Sequence, residues 1–173
     1  MNQSTANQSL RSARPLQRGS AAVEFAILLM PLMLLAFGVV EYGRAIYHYN
    51  TLVKSVRSSA RLLSTQNPDS PGYSAAVEDA RCLAVYGNVD CVGTALVPTL
   101  SKDQVKVCDR KKWDACKGVS QASFRSVETG QGVIHLVAVR IEGYTFPFIG
   151  LPLVISGPTI SFGPIEAVMR QAG

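Results

Sequence analysis

From Ala21 to Val40 every residue is apolar or glycine except Glu24, which lies near the start of the run. A helix of about 20 residues, rising 1.5 Å per residue, covers the roughly 30 Å hydrocarbon core of a bilayer. The run therefore predicts a membrane-spanning helix. A carboxylate inside such a helix costs about 2.5–3.5 kcal/mol near the midplane, and less at shallow depth. Nothing in the folding of a water-soluble domain explains the charge, so it points to a task of its own.

Ahead of the run, MNQSTANQSLRSARPLQRG is polar, carries Arg11, Arg14 and Arg18, and contains no acid. By the positive-inside tendency this end stays cytoplasmic and the residues beyond the span are exported. Those three arginines account for much of the formal net charge of +5, so the rest of the chain gives little reason to expect a nucleic-acid partner. With the span subtracted, 173 residues leave room for one modest domain.

Cys82, Cys91, Cys108 and Cys116 all fall in the exported part, where disulfides persist. Four cysteines allow three pairings; local spacing favours Cys82 with Cys91 and Cys108 with Cys116. Zinc is a poor alternative, because no C-x-x-C spacing occurs and His48 and His135 are remote from the cysteines. No metal or other cofactor is expected. No Ser/His/Asp set, glycine-rich phosphate loop or motif-bearing carboxylate pair stands out, so catalysis has no support in the sequence.

Apolar residues recur beyond the span at Tyr42, Ala45, Ile46, Tyr49, Leu52, Val53, Val56, Ala60 and Leu63, which is helical spacing. The helix should continue amphipathically, with Arg44, Lys54, Arg57 and Arg61 beside the stripe, until Pro68 and Pro71-Gly72. Pro31 removes one hydrogen bond within the span and predicts a kink or a loosened turn. Tyr73, Ala76, Val77, Ala80, Leu83 and Ala84 mark a second, shorter helix ending near Gly87-Asn88. Then VKVC, GVIHLVAVRIEGYTF and PTISF read as strands of a small antiparallel sheet, with Val137, Val139 and Ile141 on one face. The fold class is α+β: a long N-terminal helix, a short helix, and a sheet-bearing head stapled by disulfides. The expected divisions are a leader at 1–19, the long helix at 20–66 (span 21–40, amphipathic 41–66) and an exported head at 67–173.

This layout resembles that of type IV pilins and pseudopilins. In those families a prepilin peptidase cuts after a glycine, leaving a glutamate at the fifth mature position; Gly19, Ser20 and Glu24 stand at the matching places, and the aromatic Phe25 follows as in pilins of the tight-adherence (Tad) system. The run GSAAVEFAILLMPLMLLAFGVVEYGRAIYHYNTLVKSVRSSARLLS is similar to the TadE-like minor pilins, with Pro31, the Glu41-Tyr42-Gly43-Arg44 cluster and Arg57 to Arg61. The resemblance implies a substrate of prepilin peptidase that works with major and minor pilins and with an inner-membrane assembly platform. It implies a chain held by lipid in the inner membrane, its head in the periplasm, that can enter an extracellular pilus in assembly and adherence. Cleavage would give Ser20 an α-amino group one turn before Glu24, and in pilins that glutamate is thought to meet the amine of a neighbouring subunit.

Blander readings stand beside these. Glu24 could snorkel from an ordinary signal anchor, and Gly43-Arg44-Ala45 offers small residues to signal peptidase. Tyr42, Tyr47 and Tyr49 read as an interfacial aromatic belt, and His135 as a half-buried strand residue. Arg110, Lys111, Lys112 and Trp113, between two cysteines, form a stapled basic loop that is either simply solvated or a contact for an acidic surface, lipid or adhesion target. The alternative to a pilin is a membrane-anchored periplasmic binding module that does not polymerise.

Overall fold

The structure, a computed structural model, describes residues 18–149 and 159–172. The leader arginines Arg11 and Arg14, and Pro158 of the expected PTISF strand, lie outside the described residues. Helix α1 runs Arg18–Ser64, continuing through Pro31, and α2 runs Tyr73–Tyr86. Among the described residues six strands follow: β1 Val105–Cys108, β2 Val127–Glu128, β3 Val133–Ile141, β4 Thr145–Pro147, β5 Thr159–Ser161 and β6 Ile165–Gln171. The chain divides into two compact units between Gly38 and Val39.

In the first unit, side chains all round the helix are exposed, among them Val23, Phe25, Ile27, Leu28, Met30, Leu35 and Phe37. Gly19–Ser64 is long and apolar enough to cross a membrane, by length and composition. A helix apolar on every side must be buried in something, and among the described residues nothing buries its apolar window.

The second unit is the α+β head. Its larger sheet is antiparallel with β3 at the centre: β1 pairs through Val105↔Ile141 and Val107↔Val139, and β6 through Val137↔Met169 and Ile141↔Ile165. β2 pairs with the start of β3 at Val127↔Ile134. Because side chains alternate across a strand, Val105, Val107, Val137, Val139 and Ile141 share one face, where they pack with Leu52, Val56, Ala60 and Leu63 of α1 and Ala80, Ala84 and Val85 of α2. Each fully buried Leu or Val in such a core contributes about 1.5–3 kcal/mol. The opposite face is covered locally by a smaller cluster of Cys108, Cys116, Phe124 and Ala138, with Trp113 against it.

α2 stops where the sequence says it should: Gly87 takes φ +76° and its N–H donates to the Leu83 carbonyl at 3.1 Å. A Cβ there would also sit 3.1 Å from Leu96.

GVIHLVAVRIEGYTF breaks at Gly143 (φ +69°), so β3 stays in the main sheet while β4 pairs with β5 in a separate two-stranded sheet. IEAVMRQ, which the sequence reading left unassigned, forms β6, because β3 offers a long unpaired edge that seven cross-strand pairs of β6 satisfy.

Candidate functional site

Gly19, Ser20, Glu24 and Phe25 lie in the first turns of α1, all exposed, with Ser20 and Glu24 four residues apart and so on one side of the helix. A Cβ at Gly19 would meet no atom within 4 Å. The cluster is local in sequence and exposed in space, so whatever reads it approaches from outside the chain.

At the start of the head lies a second cluster that the apolar stripe did not single out. Tyr42, Ile46 and Tyr49 of the stripe are exposed, and the buried positions on this stretch of helix are Glu41 and His48, at 6% and 7% exposure. Glu41, His48 and Ser55 recur at seven-residue intervals on the side that continues as Leu52, Ser59 and Leu63. Polar residues can occupy a buried face only if they are paired. Arg44 supplies the pairing, donating to both Glu41 carboxylate oxygens at 2.8 and 2.7 Å. It also donates to the Pro147 carbonyl and lies 4.7 Å from the Phe146 ring centroid, a cation–π distance. The Ile149 N–H donates to Glu41 at 3.2 Å. Seven residues along, His48 Nδ1 is 3.0 Å from the Tyr144 hydroxyl and its ring meets Phe146 edge-on. Burial pushes the His48 imidazole below its ordinary pKa; the Arg44 charge adds to that and Glu41 opposes it. Burial also raises the Tyr144 hydroxyl, so it stays protonated. The sequence signal for this site was the acid–base pair three residues apart just past the apolar run.

The stapled loop is placed as follows. Cys82 is bridged to Cys91 and Cys108 to Cys116, with Cα separations of 4.8 and 6.0 Å. Within the second bridge Arg110 and Lys111 both pair with Asp69, and Trp113 packs inward against the Cys108–Cys116 cluster. The Asp69 carboxyl is held below its usual range, chiefly by its hydrogen bond with Lys111. Of Arg110, Lys111, Lys112 and Trp113, only the two lysines are exposed. The loop is organised by Asp109, which the sequence reading passed over: it is buried, accepts from the Lys111 and Lys112 amides at 2.7 and 2.9 Å, and accepts from the Tyr73 hydroxyl at 2.7 Å. Gln171 of β6 donates to the same hydroxyl at 3.0 Å. Burial first, and then Asp109, push the Tyr73 hydroxyl far above its ordinary pKa. His135 is half-buried and accepts from the Ser126 amide at 3.2 Å. Beside it a cleft of about 430 Å³ is lined by Asp69, Arg110, Lys111, Arg125, Ser126 and His135. Among the described residues no group of three or more His, Cys, Asp or Glu side chains is placed to hold a metal ion.

The long helix carries the decisive likeness. Residues 19–61 match the model of the TadE-like protein family. The TadE-like segment begins at Gly19, takes in Glu24, Phe25, Pro31 and the Glu41–Arg44 pair, and closes at Arg61 within the buried half of α1. Over these residues the chain is similar to TadE-like proteins. No curated protein and no solved structure matches the chain. The head beyond Arg61 therefore stands on its own geometry.

Proposed function

We propose that this chain is a minor pilin or pseudopilin of a Tad-type pilus. A prepilin peptidase cuts it after Gly19, residues 21–40 hold it in the inner membrane, and the head stands in the periplasm until the subunit joins or primes a pilus. The observation that carries this reading is that the TadE-like match begins at Gly19, the glycine that stands five residues before the lone carboxylate of the apolar run. Its chemistry is a charge pair: the α-amine of mature Ser20 on one subunit meets Glu24 of the next. In a low-dielectric setting that attraction is far stronger than in water, and either group left unpaired is penalised. A single pair can thus set the register between subunits.

The N-terminus of membrane-extracted protein tests the first step, with a start at Ser20 expected; a start at Met1 or Ile46 overturns the reading. Glu24→Ala and Glu24→Gln test the second. Removing a carboxylate from an apolar helix eases insertion, so both variants should reach the membrane normally, yet fail to enter the pilus or to co-purify with other pilins. Normal piliation by both variants, at matched membrane levels, would show that the carboxylate only snorkels. The reading would then pass to a membrane-anchored binding module, which the basic cleft of Arg110, Lys111 and Arg125 favours.

A further inference from the structure

The segment held by the Glu41–Arg44 pair also exposes an apolar side chain. After β4 ends at Pro147, Phe148 packs edge-on to Phe146 at 5.2 Å, and Ile149 stands 73% exposed. Its backbone is tied down: the Ile149 N–H is held by Glu41 and the Pro147 carbonyl by Arg44. Glu41 directly follows the apolar run 21–40, so both ties lie at the level where, by sequence, α1 leaves the bilayer. Tyr42, Ile46 and Tyr47 are exposed on the same stretch of helix.

We propose that Ile149, two residues past the end of β4, touches the lipid interface, giving the head a contact with the bilayer in addition to the span. Lipid is the occupant because Ile149 is held by Glu41, the residue directly after the apolar run, and exposed Tyr42 and Tyr47, of a type that favours the headgroup layer, lie on that same stretch of helix. An isoleucine left in water at that level forgoes burial that the adjoining bilayer offers. The inference rests on the span lying in the membrane, and does not depend on pilus assembly.

The test uses the full-length chain in phosphatidylcholine vesicles at low protein density, with Trp113→Phe removing the single native tryptophan. Into that background go Phe37→Trp in the span, Ile149→Trp, and Val92→Trp, which is 69% exposed beside Cys91 and reports the affinity of a tryptophan for lipid in its own right. Lipids brominated near the glycerol end of the acyl chain should quench most of the emission of Phe37→Trp and Ile149→Trp, and leave Val92→Trp nearly unchanged. If Phe37→Trp is quenched and Ile149→Trp is no more affected than Val92→Trp, the lipid contact is overturned and the span stands. If Phe37→Trp is not quenched, the span fails and the contact with it. Emission at Ile149→Trp that responds to protein density and not to brominated lipid assigns the site to another copy, and overturns the proposal too.

Discussion

Arg44 and Pro147, 103 residues apart in sequence, are joined by a hydrogen bond from the guanidinium to the proline carbonyl. The same guanidinium grips Glu41 on its own helix, so one side chain ties the start of the head's helix to the end of β4. A planar fork with several donors suits this task, and a lysine could not repeat it.

Arg44→Met should therefore destabilise the head by about 2 kcal/mol, because it leaves the Glu41 carboxylate buried beside an apolar side chain. Glu41→Leu combined with Arg44→Met should recover most of that loss, since removing both charges removes the desolvation penalty as well. Urea unfolding of the detergent-solubilised full chain, followed by Trp113 fluorescence, measures both. A double variant no more stable than Arg44→Met would show that the hydrogen bond to Pro147, and not the charge pair, holds the contact.

His48 gives the head a pH dependence of defined sign. Its folded pKa lies below the ordinary imidazole value of about 6.5, so the folded state binds fewer protons than the unfolded chain in the window beneath that value. The stabilisation is complete above about pH 6.5 and declines as pH falls below it. Glu41, Arg44 and Tyr144 are the charged and titratable groups that face the ring. The thermal midpoint of the wild type should drop between neutral pH and pH 5, and His48→Gln should flatten that part of the profile. Equal slopes in the two proteins would remove His48 as the cause.

Tyr73→Phe should cost about 1–3 kcal/mol, the range for leaving buried polar partners unpaired. It strips a hydrogen bond from Asp109 and another from Gln171 while changing the volume by one oxygen. The loss should appear as faster proteolysis near Arg110–Lys112, because Asp109 also caps those amides. Unchanged stability and cleavage would mean that water replaces the hydroxyl.

Glu24 and Gly19 were legible without coordinates because their message is written in a short run: an apolar segment, one charge, one glycine, at fixed spacing. The two helices and the break at Gly87 were legible for the same reason, since helical periodicity and a left-handed glycine cap are local properties. The small antiparallel sheet and the local disulfide pairing followed from β-branched runs and close cysteines. The tertiary structure alone decided which side of α1 is buried beyond the span. Nothing in the local apolar pattern buries Glu41 and His48; they lie inside because Arg44 of the same helix, together with Tyr144 and the Ile149 amide from about a hundred residues away, satisfies them. It likewise decided that IEAVMRQ is a strand, because the free edge of β3 outweighs a weak local preference, and that Asp109 is a buried anchor, since its partners come from α2 and its own loop. Local pattern determines what a segment can become on its own; the pairing of distant polar groups depends on the whole chain having folded.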